Sequence, residues 1–510
     1  MTRRGARIGL LCVLVAGTCV SATRLGAQSL WIDEAITLVP VTAAGDASDL
    51  VARVRALDTQ PPASHVLLFA LRPLLPATEF GWRLPSLCAA EAGVLLLALL
   101  GGRLYGPAGL FFTGLGAQIS PYLLFYAMEA RNYALWFLAG AAAAYAMTRC
   151  LDAVAGRAPA RVVALWAMAW GMANALGLWT HLFHLFALIV QGVVLAGLWF
   201  VLRPPRAVLR SAVAWSAAAC AGSLVLFLPW VLTVMTSGMV TQGVGWTRAL
   251  APAGILYFPF ALLFGFSFGP DLRELHERPL RQIAAGHPLA LLLAAAAIVV
   301  LATGLAAIVR AARRGPGEPP AAVLYLLAPT IGFLGPALFA LVRDFPLVPR
   351  HLMFLWPLVP LLEASLAAKR KPFRGAVVAI LALQAVASYN LLYDPAFAKD
   401  DERGAVRFAE SGSGARPVIL GDAAPLYTTR ALGLMKAFTD PKSDAVLGSD
   451  ATDLWLVDNR PWEDPEGNVL DKTGQAAARL GLVPAGSDSR FHGLVLRHWR
   501  RAAAAPGGAP

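Results

Sequence analysis

The sequence predicts an all-α polytopic membrane protein followed by a small soluble α/β domain, and three observations carry that expectation. First, 57% of the 510 residues are hydrophobic and only 15% are charged, too little charge for a soluble fold of this length. Second, apolar runs of about 20 residues, the length of a bilayer crossing, recur from the N-terminus to the region of Tyr393. Third, from about Asp394 charged residues, Gly and Pro return together, and short β-prone runs alternate with helix-like stretches. The expected domains are therefore a transmembrane one, 1–394, and a soluble one, 395–510.

Runs long enough to span lie near 8–26, 84–101, 108–126, 133–149, 162–180, 183–202, 211–235, 287–310, 321–342, 350–368 and 374–393, about eleven in all. Two further apolar stretches resist that reading. The run 63–76 is short and holds Arg72, and 253–270 is broken by Pro259, Gly265 and Gly269. With both left out, the short basic loops fall on one side: Arg3, Arg4 and Arg7; Arg103; Arg149, Arg157 and Arg161; Arg203, Arg206 and Arg210; Arg310, Arg313 and Arg314; and the cluster from Lys369 to Arg374. Counting either stretch alone as a span inverts several clusters, against the positive-inside tendency. The first is therefore expected to lie at the outer interface and the second to be re-entrant or interfacial. The N-terminus is then cytoplasmic and the C-terminal domain extracytoplasmic, in a cell (inner or plasma) membrane.

The N-terminal segment ends in Val20-Ser21-Ala22, an acceptable export cleavage site. The many spans that follow favour an uncleaved signal anchor, and either outcome leaves Asp33 outside. The net charge of +12 is dispersed in small clusters between apolar runs, so it reads as a topology signal and excludes a nucleic-acid partner. Cys12, Cys19, Cys88 and Cys220 lie inside apolar runs and Cys150 ends one, which gives no disulfide framework and no metal spacing. In the soluble domain PVIL (417–420), LWLV (454–457) and LVL (494–496) read as strands, and no phosphate loop or Cys/His cluster accompanies them.

This topology gathers polar residues at one face. The first outer loop supplies Asp33 and Glu34 in SLWIDEA, then Asp58, Gln60, Pro61, Pro62 and His65 in DTQPPASH. The second supplies Glu129, Arg131, Asn132 and Tyr133. Further on come His181 and His184 in WTHLFH, Trp246 to Arg248, Arg343, Asp344, and Arg350 with His351 in VPRH. A carboxylate at such a face can take the proton from an attacking hydroxyl. Guanidinium forks suit phosphate oxygens, because paired donors neutralise the charge that develops as the bond to a leaving group breaks. Displacement from the opposite side inverts an anomeric centre.

Each signal also has a plainer reading. Asp33 and Glu34 alone would be a solvated pair, and Asp58 before Pro61 could simply start the interfacial helix. Tyr126, Tyr133, Trp136 and Trp179 read as interface-belt aromatics rather than substrate platforms. His181 and His184 are close enough in sequence to hold a metal, but a hydrogen-bonded interfacial role is the better expectation. Arg350 and His351 could be helix-end anchors.

Together SLWIDEA, the D-x-Q-P-P element, GWRLPSL, SPYLLFYAMEARNY and VPRHLMFLWP, in order over roughly 28–394, resemble the GT-C membrane glycosyltransferases. The best match is the bacterial branch related to protein O-mannosyltransferases and the lipid A aminoarabinose transferase. The resemblance implies a polyprenyl-phosphate-sugar donor whose tail lies in membrane lipid between spans, a site at the bilayer edge, and inverting hexosyl or pentosyl transfer at the outer face to an envelope glycan, lipid or protein. Asp33 would be the catalytic base, and Glu34, Asp58, Glu129 and Tyr133 would support the acceptor or the site. Arg131, Arg350 and His351 would meet the donor phosphate. Asp58 departs from the commoner His or Lys before the Pro pair. No metal ligand set is assigned, and some relatives use a divalent cation while others do not. The alternative is a transporter or flippase of lipid-linked glycans, which Glu91 and Glu363 within spans favour. A scaffold whose exported domain binds a partner, and a transferase using a diphosphate donor, are further rivals.

Overall fold

The computed structural model of the chain describes residues 1–57, 60–202, 206–237, 252–271, 273–274, 278–314, 320–343, 347–414, 417–433, 451–458 and 468–501. Its helices in order are α1 (Arg3–Arg24), α2 (Ile32–Ala43), α3 (Ala47–Leu57), α4 (Ala63–Leu71), α5 (Glu79–Gln118), α6 (Pro121–Ala127), α7 (Tyr133–Ala155), α8 (Ala160–Thr180) and α9 (His184–Leu202). They continue with α10 (Arg206–Ser237), α11 (Pro252–Phe264), α12 (Leu280–Gly286), α13 (Pro288–Arg314), α14 (Pro320–Arg343), α15 (Leu358–Lys369), α16 (Lys371–Tyr393), α17 (Glu402–Ser411) and α18 (Asn468–Arg479). The chain divides into two compact units. One is Met1–Leu25 with Asp58–Ala70 and Trp82–Phe397; the other is Gly26–Leu57 with Leu71–Gly81 and Ala398–Pro510.

The first unit is helical. Among the described residues seven helices are long and apolar enough to cross a membrane: α1, α5, α7, α8, Val213–Thr233 of α10, Pro288–Arg310 of α13, and α16. Shorter apolar helices, His184–Gly197 and Gly332–Val342, lie within α9 and α14. Leu11, Val15, Leu165, Met168, Met172, Leu224, Leu226 and Leu232 are exposed. Apolar side chains on the outside suit a lipid solvent, where helices must satisfy their own backbone groups. Inside, Tyr122, Trp136, Phe137 and Trp356 join one continuous core.

Within α5 the chain reverses at Gly106, whose φ of 77° is left-handed, a conformation glycine adopts without a Cβ penalty. Pro107 opens the second arm, where its missing N–H is no loss. The reversal is recorded by close approaches across the arms: a Cβ on Gly101 would lie 2.0 Å from Thr113 Oγ1, and one on Gly102 would lie 3.0 Å from Leu110 Cβ. At the open end of the hairpin Gln118 Nε2 donates to Glu91 Oε1 at 2.8 Å. The sequence boundary between the runs 84–101 and 108–126 thus coincides with a tight helical hairpin. α11, of 13 residues with Pro259 inside, is too short to span.

Among the described residues the second unit is built on a mixed six-stranded sheet. Its strands are β1 (Pro417–Leu420), β2 (Ala431–Leu432), β3 (Asp453–Asp458), β4 (Leu482–Pro484), β5 (Ser489–Phe491) and β6 (Leu494–Arg501). The order is β2-β1-β3-β6-β4, with β5 also on β6. β1 pairs parallel with β2 and β3, while β6 pairs antiparallel with β3, β4 and β5. The runs at 417–420, 454–457 and 494–496 expected to be strands lie in β1, β3 and β6. Because side chains alternate along a strand, Trp455 and Val457 of β3 pack with Ala405, Val406 and Ala409 of α17, whereas Leu454 and Leu456 pack with Ala476 and Ala477 of α18. A central strand covered on both faces reads as a continuous apolar run. LWLV is that run.

Candidate active site

In the second unit, α2 begins after Trp31, whose φ of −126° is extended, and carries Asp33 and Glu34 in its first turn. Carboxylates there face the positive end of the helix dipole. Asp33 is half-buried. Glu34 is fully buried, and Lys399 Nζ lies 3.4 Å from its Oε2, with the lysine side chain itself only 7% exposed. The same ammonium sits 5.6 Å from the Trp31 ring centroid. The strand of chain leading into α2 is fastened residue by residue: Lys399 N donates to Gln28 Oε1 at 3.2 Å, Ser29 Oγ to the Asp400 carbonyl, and Leu30 N to Tyr427 Oη. Arg403 adds bonds to the Gly26 and Ala27 carbonyls and to Glu79. Sequence reasoning missed Lys399, which lies in the unremarkable polar run FAKDDERG.

In the first unit, Ser120 caps α6 by accepting from Leu123 N, and after Met128 the chain turns through Glu129, Ala130, Arg131 and Asn132 into α7. This turn is held from two sides. Asn132 Nδ2 donates to the Thr180 carbonyl at 2.9 Å, and Ser86 Oγ to the Arg131 carbonyl at 3.5 Å. Glu129 is 1% exposed, Tyr133 4% and Arg131 8%. A short 3-10 turn, Pro349–Leu352, brings Arg350 and the buried His351 to the same place, anchored by Tyr122 Oη donating to the Pro349 carbonyl at 2.8 Å.

These stretches meet around His181. Its ring lies 6.0 Å from Tyr133 and 6.1 Å from His351, centroid to centroid, and stacks on Trp136 at 3.9 Å with planes 9° apart. The Arg131 guanidinium carbon is 5.9 Å from the Tyr133 ring centroid. Burial holds the His181 imidazole well below its ordinary pKa, and the positive fields of His351, Arg131, Arg350 and His184 push the same way. Tyr126 is within electrostatic reach of both Glu129 and Arg350. Glu129, Arg131, Tyr133, Arg350 and His351 are thus one cluster in the first unit, with His181 at its centre. Asp58, Trp246, Thr247, Arg248 and Asp344 lie outside the described residues.

Three of the residues expected to form an interfacial belt are core residues instead: Tyr126 is 2% exposed, Tyr133 4% and Trp136 1%. Trp136 Nε1 donates to His184 Nδ1 at 3.0 Å. Since indole only donates, that nitrogen must carry a lone pair, and the proton sits on Nε2, which faces Asn174 Oδ1 at 3.0 Å. Asn174 and Gln191 then bond each other reciprocally, and Trp170 Nε1 donates to Gln191 Oε1. His184 is therefore a neutral, doubly bonded structural residue, not a ligand. Among the described residues no three His, Cys, Asp or Glu side chains are grouped to hold a metal ion.

From this cluster an apolar cavity runs along α7. Trp136, Phe137, Gly140, Ala141, Ala144 and Met147 form one wall, with Ala187, Val190 and Val194 of α9 and Met353, Phe354, Pro357, Leu358 and Leu361 opposite. From Trp136 to Met147 it follows the helix for about 16 Å.

No family model matches the chain, and no curated protein matches it. Among solved structures, the crystal structure of ArnT from Cupriavidus metallidurans in the apo state is similar with a TM-score of 0.57 at 15% identity, covering 97% of this chain and 98% of that one. The structure of the same enzyme bound to undecaprenyl phosphate is similar with a TM-score of 0.57 at 14% identity, covering 96% and 97%. The chain thus has the fold of ArnT along nearly its whole length.

Proposed function

We propose that this protein is an inverting glycosyltransferase that moves a sugar from a polyprenyl phosphate to an acceptor outside the cytoplasm. One observation carries the reading: a cluster of guanidinium and imidazole groups lies at one end of an apolar cavity, and the two share Trp136. A polyprenyl phosphate has that shape, an anionic head on a long hydrocarbon tail. Similarity to a structure bound to undecaprenyl phosphate supports the same ligand class.

In this reading the acceptor hydroxyl oxygen attacks the anomeric carbon and Asp33 takes its proton. The C1–O bond breaks with its electron pair passing to the phosphate oxygen, and Arg131 and Arg350, with His351 beside them, balance the charge that develops there. Glu34, Glu129 and Tyr133 support the site, and Asp58 is assigned a supporting role with them. Counting the two arms of α5 separately, the second continued by α6, and taking the 3-10 turn Pro349–Leu352 together with the 12-residue α15 as one crossing, we count eleven crossings with a cytoplasmic N-terminus and an exported segment 395–510.

A flippase remains the second reading because Glu363 is buried within α15. It is bound by Gln384 Nε2 of α16 at 2.8 Å, as Glu91 is by Gln118, so Glu363 ties α15 to α16 and Glu91 ties the two arms of α5. The deciding experiment incubates purified protein in detergent with a panel of undecaprenyl-phosphate-linked radiolabelled hexoses and pentoses, using envelope extract as the acceptor source. Label moved into envelope material from at least one donor supports the transferase. No transfer from any donor, together with movement of intact donor across proteoliposomes, supports the flippase.

A further inference from the structure

His181 ends α8 in extended backbone, with φ −153° and ψ 129°, which turns its ring inward until only 1% is exposed. Phe183 N donates to its Nδ1 at 3.1 Å. That nitrogen must hold the lone pair, so in the neutral ring the proton is on Nε2. Nε2 is buried and has no hydrogen-bond partner among the described residues. An N–H left buried and unbonded is costly, and such a group in a native site calls for a partner that the described residues do not supply. Beside the one carboxylate of the cluster, Glu129, the cationic groups favour an anion: Arg131 and Arg350 are near enough to shift the His181 titration, His351 lies 6.1 Å away ring to ring, and Trp136 fixes the imidazole by stacking.

Resting on the polyprenyl-phosphate reading above, we propose that His181 is a direct ligand of the donor phosphate, its neutral Nε2–H donating to a phosphate oxygen. A neutral donor suits this place. A cation there would stand among other cations, whereas the imidazole adds a directed hydrogen bond without added repulsion. As the sugar leaves and negative charge grows on the phosphate, that bond strengthens.

The test is binding of undecaprenyl phosphate, with undecaprenol and inorganic phosphate as separate probes, to the full-length protein in detergent. His181→Phe keeps the stack on Trp136 and removes the donor; His181→Gln keeps a side-chain amide donor and an acceptor for Phe183 N. The expected result is a loss of about tenfold or more in affinity for undecaprenyl phosphate with His181→Phe, partial recovery with His181→Gln, and no change for undecaprenol. Inorganic phosphate is expected to bind more weakly than the lipid but to show the same His181 dependence. Equal affinity of parent and His181→Phe for undecaprenyl phosphate overturns the assignment, as does an equal loss for undecaprenol, which marks a packing role. A parent that binds undecaprenyl phosphate no better than undecaprenol overturns the donor reading along with it.

Discussion

Trp136 and His181 lie face to face, ring centroids 3.9 Å apart, while the edge of the same indole donates its N–H to His184. One side chain therefore sets two imidazoles, one inside a closed amide network and one facing the cationic cluster. Trp136→Phe keeps an aromatic face for His181 but leaves His184 Nδ1 buried without a donor. Thermal unfolding in detergent should report a loss of about 1–3 kcal/mol, and polyprenyl-phosphate transfer should fall with it. An unchanged melting temperature would show that the indole N–H does not matter.

Gly177 allows the second imidazole its place. A Cβ there would come within 2.3 Å of His184 Cε1, and the ring cannot step aside because both nitrogens are bonded. Gly177→Ala is expected to cost about 1–3 kcal/mol by overpacking, read as a lowered melting temperature. The glycines without such neighbours, Gly140 or Gly192 for instance, should accept alanine with little effect in the same assay.

The buried Lys399–Glu34 pair makes a distinctive pattern of substitutions. Lys399→Met removes the ammonium beside a buried carboxylate and should destabilise by up to about 3–5 kcal/mol, whereas Lys399→Met with Glu34→Gln removes both charges and should recover much of that. Hydrogen exchange at the α2 amides measures it: faster exchange in the single variant, near-parent exchange in the double. Simple additivity would mean that the ion pair does not hold this segment.

Asp453 sets an acid limit for the sheet. Burial alone would raise its pKa, but hydrogen bonds from Arg500, the Gly414 N–H and His498 outweigh it and lower the value to about 2 from the usual 3.8. A folded-state pKa below the unfolded one adds stability that is whole above about pH 4 and is lost as pH falls toward 2. Exchange of β3 and β6 amides should accelerate over that window in the parent. In Asp453→Asn it should start faster at neutral pH and change less over the window.

The membrane part of the fold was legible because a bilayer fixes how long and how apolar a crossing must be, and the strands because LWLV is apolar at every position. The hairpin in α5 was legible only as a boundary, since Gly106 and Pro107 announce a break but not a reversal. Tyr126, Tyr133 and Trp136 were misjudged: an aromatic at a helix end looks alike in sequence whether it meets headgroups or a buried neighbour. The motif residues Glu129, Arg131, Tyr133, Arg350 and His351, picked out by the resemblance, cluster in the first unit. Lys399 could not be found, because its partner lies 365 residues earlier and no local pattern links the two. His181 was weighed for its neighbour His184, three positions apart on paper, when the distinction between them rests on which nitrogen each has already committed.

The central claim is that Asp33 takes the acceptor's proton, and transfer by Asp33→Asn measures it most directly. Parent and variant are compared at equal folded concentration, with the undecaprenyl-phosphate sugar the parent accepts and with undecaprenyl phosphate binding checked in both. The expected result is a fall in kcat of about 10²–10⁴-fold at unchanged lipid affinity. Turnover by Asp33→Asn within a few fold of the parent would contradict it.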